Sequence, residues 1–153
     1  MSALKDQLRT DLTTSIKARD ALRSSVIRMV LTAITTAEVA GKQARELTDE
    51  DVITVLGAEA KKRRESAEAF TAGDRPELAR KERDEAAILA DYLPEQMSVE
   101  EIRATVTAAV ESTGSAGLGM KAMGTVMGVV SPQVKGKADG GVVAAEVKKQ
   151  LGV

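Results

Sequence analysis

Lysines and glycines gather in one short stretch, residues 131–141, which reads SPQVKGKADGG. Lys135 and Lys137 flank Gly136, and two further glycines follow Asp139. Ammonium groups and the unshielded N–H groups at the start of a helix both favour an anion such as phosphate. The stretch is therefore either a phosphate-binding loop or, as spacing alone favours, a glycine-rich turn in which Asp139 itself caps the helix that follows.

The chain lacks the residue types on which many catalytic and zinc sites depend. Its 153 residues include no Cys and no His, so neither a thiolate nor an imidazole is available as nucleophile, base or ligand. Carboxylates are numerous, but no two make a convincing acid–base pair, and neither an EF-hand loop nor a P-loop occurs. We therefore expect no catalytic residue, no metal site and no cofactor.

Positive charge is concentrated near the end of a chain whose formal net charge is −1. Residues 115–153 contain five basic and two acidic residues, a balance of +3, whereas residues 95–114 have a balance of −3. A local excess of basic residues is typical of a surface that meets phosphate groups, although a solvated surface explains it too. The five basic residues are Lys121, Lys135, Lys137, Lys148 and Lys149.

Two glycines, Gly124 and Gly128, lie one helical turn apart in a segment with helical spacing. Glycine costs a helix about 1 kcal/mol relative to alanine, so some compensating contact is expected there. Close packing of another helix is the favoured explanation, and close approach of a nucleic-acid backbone is the alternative.

Apolar residues recur with helical spacing along the whole chain, and no segment reads as a strand. Capping residues predict where the helices begin: Asp20, Thr48, Asp74, Ser98 with Glu101, and Asp139. Breakers predict where they end: Gly41, Gly73, Leu93–Pro94, Gly114 and Pro132.

The sequence therefore predicts an all-α fold, with about four helices in residues 1–94 and a bundle of about three helices in residues 95–153. Its two aromatic residues, Phe70 and Tyr92, are too few for a base-stacking surface. The first residues carry no continuous apolar run, so we expect neither a signal peptide nor a membrane span, and a cytoplasmic location.

The densest basic run, KKRR at residues 61–64, has the spacing of a salt-bridged, solvated helix. Pairs four residues apart are Glu59 with Arg63, Lys61 with Glu65, and Arg64 with Glu68. Consecutive helix positions point in different directions, so these four side chains are not expected to meet one ligand. RKERDE, from Arg80, has the same character.

Several segments together resemble the YqeY-like proteins of the GatB/YqeY family, over about residues 4–151. The most specific are YLPEQMS, from Tyr92, and MGTVMG followed by KGKADG, from Met123 and Lys135. The resemblance implies a helical protein in two parts. Its second part is similar to the tail domain of the B subunit of glutamine-dependent aspartyl/glutamyl-tRNA amidotransferase, a domain that helps to hold tRNA and is not catalytic.

The resemblance carries over to the positions that match the motif: Gly124, Gly128, Lys135, Gly136, Lys137, Ala138, Asp139 and Gly140. Thr125 departs from it, because the family often has a lysine there. Lys121, Lys148 and Lys149 widen the basic face. We expect a non-catalytic accessory protein that binds tRNA backbone through these residues. The alternatives are an adaptor docking on an amidotransferase or aminoacyl-tRNA synthetase and, less favoured, an amidotransferase. A membrane partner is not expected.

Overall fold

The computed structural model describes residues 2–153 and is helical throughout, which confirms the all-α prediction. Within this range seven α-helices and one 3-10 turn are present, and no strand. The α-helices are α1 Ala3–Lys17, α2 Ala21–Val39, α3 Asp49–Ala72, α4 Pro76–Ala90, α5 Val99–Ser112, α6 Met123–Val134 and α7 Gly140–Leu151; the 3-10 turn is Gly119–Ala122.

The chain divides into two compact units, the first ending at Leu93 and the second running from Pro94 to Val153. Each unit has its own apolar core. The first unit contains α1–α4, and the second contains α5–α7 with the 3-10 turn.

The core of the first unit is built from aliphatic side chains of all four helices. Leu8 of α1, Ile34 of α2, and Val52 and Leu56 of α3 are fully buried, and Leu89 of α4 is 1% exposed. Helices α3 and α4 pack against each other most extensively. Ile16 of α1, which continues the helical spacing of Leu8 and Leu12, is by contrast 48% exposed.

The core of the second unit, a three-helix bundle, is made mainly of valines. Val106 of α5, Val126 and Val130 of α6, and Val143 and Val147 of α7 are all fully buried. Residues three or four apart share one face of a helix. Val126 with Val130 and Val143 with Val147 therefore have the helical spacing that the sequence predicts. The valine stripes therefore bring α6 and α7 together around the KGKADG loop.

Local capping chemistry starts four of the helices at predicted residues. The side chains of Asp20, Thr48, Ser98 and Asp139 each accept a hydrogen bond from a backbone N–H in the first turn of the helix that follows. At Thr48 the box is reciprocal, because the carboxylate of Asp51 accepts from the backbone N–H of Thr48 at 3.0 Å. A short polar side chain before an apolar stripe therefore identified four of the five predicted helix starts.

The prediction that Asp74 caps α4 is wrong. Asp74 has a φ of 58° and closes the turn after α3, where its N–H donates to the carbonyl of Thr71 at 3.2 Å. Helix α4 begins instead at Pro76, with Arg75 as its cap residue. Proline suits the first helical position because it has no N–H to leave unsatisfied and its φ is already helical.

The prediction that Pro132 ends α6 is also wrong, because the helix continues to Val134. Proline removes one hydrogen bond, the one that its N–H would make to the carbonyl of the exposed Gly128. The ladder resumes beyond it, since the N–H of Lys135 donates to the carbonyl of Ser131 at 3.1 Å. Val134, 5% exposed in the core, anchors this last turn.

Candidate nucleic-acid interface

The loop between α6 and α7 is a tight turn that requires glycine at its second residue. Gly136 has a φ of +75°, in the left-handed region that side chains with a Cβ disfavour. The turn closes on α6, because Lys137 and Ala138 both donate their N–H to the carbonyl of Val134, at 2.8 and 3.0 Å. Lys135 and Lys137 therefore project from a fixed backbone, one on each side of Gly136.

Asp139 caps α7, as the sequence predicted. Its carboxylate accepts the N–H of Gly141 at 2.7 Å, and its carbonyl accepts the N–H of Val143 at 3.1 Å. This carboxylate already meets part of the positive end of the helix. An incoming phosphate is thus left mainly with the ammonium groups of the loop rather than with the helix start.

The loop is braced by the segment that precedes α5. Met97 donates its N–H to the carbonyl of Lys137 at 2.8 Å, and the side-chain amide of Gln96 donates to the carbonyl of Gly136 at 2.9 Å. The same amide also donates to the carbonyl of Pro94 at 2.8 Å. Sequence reasoning gave these residues no role. The signal was the co-occurrence of YLPEQMS and KGKADG, two specific motifs about 40 positions apart.

The five lysines of the second unit are all exposed. Across residues 2–153, none of these five forms an ion pair with a carboxylate. The basic residue that is paired in this unit is Arg103, whose Nε lies 3.7 Å from Glu146. Five ammonium groups are therefore free to meet an external anion without first breaking an internal pair.

The structure separates these lysines into two groups. Lys135 and Lys137, here called the loop lysines, lie between α6 and α7. Lys121 lies in the 3-10 turn before α6, and Lys148 and Lys149 lie in the last turn of α7; these three are the end lysines. A helix of twelve residues such as α6 or α7 is about 18 Å long. The two groups therefore occupy opposite ends of the bundle.

The exposed face of α6 connects the two groups and carries Gly124 and Gly128. A Cβ added at either position would have no neighbour within 4 Å. Within the second unit, no helix packs closely on these glycines, so the favoured explanation does not hold for that unit. Gly140, at the start of α7, is likewise open. The face is smooth and uncharged, and no helix of the bundle covers it.

The KKRR run of the first unit does not form a basic surface. Arg63 turns inward, with its side chain 19% exposed, and its guanidinium lies 3.3 Å from Glu85, 3.7 Å from Glu82 and 3.9 Å from Glu59. Its Nη2 also lies 3.2 Å from the sulfur of Met29. The interpretation as a wholly solvated helix is thus wrong at Arg63, because α4 packs against this side of α3.

Of the other two ion pairs predicted for this run, one forms within residues 2–153 and one does not. Lys61 and Glu65 lie 4.0 Å apart, as predicted. No ion pair joins Arg64 to Glu68 in the described part of the chain. RKERDE likewise contains two inward residues, Glu82 and Glu85, whose side chains are 16% and 6% exposed. These charges stabilise the α3–α4 pair rather than present a ligand site.

Residues 2–153 contain neither a cluster of metal-binding side chains nor a helix suited to a bilayer. No cluster of three or more Asp, Glu, His or Cys side chains has the arrangement needed to hold a metal ion. No helix in this range has the length and apolar character needed to cross a bilayer.

Comparison with known proteins places the chain in a family. The model of the family described as YqeY-like protein matches residues 5–151. A similar protein from Schizosaccharomyces pombe, Uncharacterized protein C22F3.15, is 34% identical over 96 residues, which cover 62% of this chain and 76% of the yeast protein. The match to the family model spans both units and includes the loop between α6 and α7 and the five lysines of the second unit. The chain belongs to the YqeY-like protein family.

Proposed function

We propose that this chain is a non-catalytic accessory protein whose second unit binds the backbone of tRNA. One observation carries the proposal: five exposed lysines in a unit of 60 residues, none of them held in an internal ion pair within the described chain. Unpaired ammonium groups release condensed counterions when they meet phosphates, and this release drives most nucleic-acid binding.

The spacing of the lysines suits a folded RNA rather than one isolated phosphate. The loop lysines and the end lysines are separated by about 18 Å, the length of a twelve-residue helix. Between them, the exposed face of α6 has glycine at positions 124 and 128, so a sugar–phosphate backbone meets neither a charge nor a bulky side chain there. The resemblance to a tRNA-holding tail domain points to the same class of ligand.

The proposal assigns no chemical step to this chain. Glutamine-dependent transamidation needs an activated nucleophile to release ammonia. The chain has no cysteine and no histidine, and its serines form no evident Ser–Ser–Lys arrangement of the amidase type. We place its action in the cytoplasm, as an accessory to tRNA-dependent amidotransferase chemistry carried out by other proteins.

The test is binding of the purified protein to total tRNA, with Lys135→Ala/Lys137→Ala as the variant. We expect the variant to lose most of the affinity at moderate salt, because two phosphate contacts disappear. Both side chains are exposed and unpaired, so the fold is retained. Equal affinity of variant and wild type would exclude the loop lysines from the interface, and no binding by either protein would remove the proposal.

A second candidate function, an adaptor that docks on an amidotransferase or synthetase, is favoured by a groove between α5 and α7. The groove has a volume of about 280 Å³ and is lined by Val99, Ile102, Val142 and Ala145, with Glu146 and Lys149 at its edge. Val99 and Val142 are 59% and 50% exposed. Exposed aliphatic side chains around a groove are typical of a surface that receives another protein.

The adaptor is distinguished by a pull-down with the full chain as bait. A partner captured without RNA, retained by Lys135→Ala/Lys137→Ala and lost with Val142→Glu, would support the adaptor. Capture that depends on RNA, or that survives Val142→Glu, would contradict it.

A further inference from the structure

Three large apolar side chains are exposed together at the end of the second unit where α7 finishes. Leu118, Met120 and Val153 are 55%, 57% and 54% exposed. Leu118 and Met120 flank Gly119, and a Cβ on Gly119 would lie 3.7 Å from Cγ1 of Val153. The loop before the 3-10 turn therefore lies against the residues that follow α7. We call these three side chains the apolar tip.

The apolar tip is held by local backbone geometry. Gly117 has a φ of +76°, and the N–H of Leu118 donates to the carbonyl of the buried Ser115 at 3.1 Å. The N–H of Val153 donates to the carbonyl of Lys148 at 3.0 Å. These hydrogen bonds fix the backbone that carries Leu118 and Val153 at this end of the bundle.

The end lysines lie at the same end of the bundle as the apolar tip. Lys121 directly follows Met120, and Lys148 and Lys149 belong to the turn of α7 on which Val153 folds back. All three lysines are exposed, and none forms an ion pair within residues 2–153. Apolar side chains beside unpaired ammonium groups suit a ligand surface that is both anionic and apolar.

We propose that the apolar tip and the end lysines form a docking site for an anionic membrane surface. Leu118, Met120 and Val153 would enter the boundary between headgroups and acyl chains, while the lysines meet lipid phosphates. Such peripheral binding needs no spanning helix. It goes beyond the proposed RNA binding, in which the end lysines also take part, because it adds an apolar contact at the end of the bundle away from the loop lysines.

Charge and size favour this occupant over the other two classes. An RNA backbone is anionic but offers little apolar surface to cover three aliphatic side chains. A stable protein partner covers about 800 Å² on each side, more than three side chains provide. A second copy of this chain would bring the end lysines of both copies together, and like charges repel. A lipid surface satisfies both the charge and the apolar character.

The test is co-sedimentation of the full chain with two kinds of vesicle: phosphatidylcholine alone, and equal parts of phosphatidylcholine and phosphatidylglycerol. We expect sedimentation with the anionic vesicles only. Lys148→Gln/Lys149→Gln should weaken it on the order of thirtyfold, since each lysine near such a surface contributes about one fivefold factor. Leu118→Ser/Met120→Ser should weaken it about tenfold or more, because the inserted apolar area is lost.

Matched variants control for the chemistry of each substitution. Val142→Ser removes a side chain that is 50% exposed at the other end of α7, and Lys135→Gln/Lys137→Gln removes the same charge from the other end of the bundle. Both should sediment like wild type. Leu118→Ser/Met120→Ser should also keep the wild-type affinity for tRNA, so the failure of one proposal is separable from the failure of the other.

Three results would overturn the proposal. The first is no sedimentation of wild type with the anionic vesicles, or equal sedimentation with both kinds. The second is wild-type sedimentation by Leu118→Ser/Met120→Ser. The third is a loss of tRNA affinity by that variant in parallel with its loss of vesicle binding, which would make the tip a contact for RNA.

Discussion

At the scale of single residues, the loop between α6 and α7 depends on Gly136. Its φ of +75° is costly for any residue with a Cβ. Gly136→Ala should therefore lower the free energy of unfolding of the second unit by about 1–2 kcal/mol. Urea denaturation followed by circular dichroism measures the change.

The control for this substitution is Gly140→Ala. Gly140 is the first residue of α7, and a Cβ there meets open space. Alanine should leave stability unchanged or raise it by about 0.5 kcal/mol, because it restricts the unfolded chain. Equal effects of the two substitutions would contradict the role given to the left-handed backbone at Gly136.

Arg63 is the residue on which the charges between α3 and α4 depend. It lies within ion-pair distance of Glu59, Glu82 and Glu85, and the side chain of Glu85 is only 6% exposed. Glu59 also pairs with Lys62, at 2.9 Å. Its own Nε and one oxygen of Glu82 are buried without a hydrogen bond in the described chain. The cluster thus already contains more negative than positive charge.

Arg63→Ala should destabilise the first unit by about 3 kcal/mol, because it leaves Glu82 and Glu85 mostly buried and without their cation, whereas Glu59 keeps its pair with Lys62. Fluorescence of Tyr92, the one tyrosine of the chain, follows unfolding of this unit. Arg64→Ala is the control, since Arg64 is exposed and should change stability by less than about 0.5 kcal/mol. Similar midpoints for both variants would show that the cluster does not stabilise the unit.

At the scale of helices, the sequence predicted most elements because their signals are local. Thr48 and Asp139 cap helices through atoms two or three residues away, and the valine stripes need only helical spacing. Pro132 misled because its effect depends on how the rest of the turn is anchored. Arg63 misled because its orientation is set by α4, which lies some twenty residues further along the chain.

The candidate site shows the same division. The lysines, the glycines and the cap of Asp139 could be read from composition and spacing. The brace from Gln96 and Met97 could not, because it joins residues about 40 positions apart. The separation of loop lysines from end lysines also needed the structure, since a list of five lysines does not show which end of the bundle each one occupies.

Two carboxylates with lowered pKa values, Asp51 at the start of α3 and Glu38 of α2, should make the first unit sensitive to acid. Asp51 accepts hydrogen bonds from Arg45 at 2.9 Å and from the N–H and hydroxyl of Thr48 at 3.0 Å, which hold its pKa well below the ordinary 3.8. The hydrogen bonds from Lys5, and then from the N–H of Leu47, lower the pKa of Glu38 below 4.5. Both groups favour the charged form in the folded state.

A lowered folded-state pKa gives stability that is present above the unfolded value and is lost as pH falls. The thermal midpoint reported by Tyr92 should therefore decrease as pH falls below about 4.5 and then 3.8. Asp51→Asn should lower the midpoint at neutral pH and flatten this acid dependence. A variant with the wild-type midpoint and the wild-type pH profile would contradict the role of the capping box.

Replacing the two glycines of α6 by alanine should raise the stability of the second unit and weaken its binding to tRNA. Neither Gly124 nor Gly128 has a neighbour for an added Cβ, so alanine at either position should stabilise the second unit by about 0.5–1 kcal/mol. If an RNA backbone approaches this face, Gly124→Ala/Gly128→Ala should bind tRNA more weakly although it is more stable. Urea denaturation and tRNA titration on the same variant measure both effects. Higher stability with unchanged affinity would remove this face from the interface.

At the scale of the whole molecule, the two units differ in how their charges are used. In the first unit many basic side chains are paired, among them Lys5 with Glu38, Arg23 with Asp91, and Arg45 with Asp51. In the second unit the lysines are left for other partners. Burial of Tyr92 and its hydrogen bond to Asp11 at 2.5 Å raise the pKa of Tyr92 to about 12. This contact lies within the first unit. We propose that the second unit contacts RNA, whereas the first unit keeps many of its basic side chains in internal pairs.

The salt dependence of tRNA binding tests this central claim most directly. Affinity would be measured over a range of salt for wild type, for Lys135→Ala/Lys137→Ala, and for Lys17→Ala/Lys42→Ala, which removes two exposed lysines of the first unit. We expect the affinity of wild type to fall steeply with salt. The loop variant should reduce the slope of log affinity against log salt concentration by about two, and the first-unit control should keep the wild-type slope. A slope near zero for wild type, or equal slopes for all three proteins, would contradict this claim.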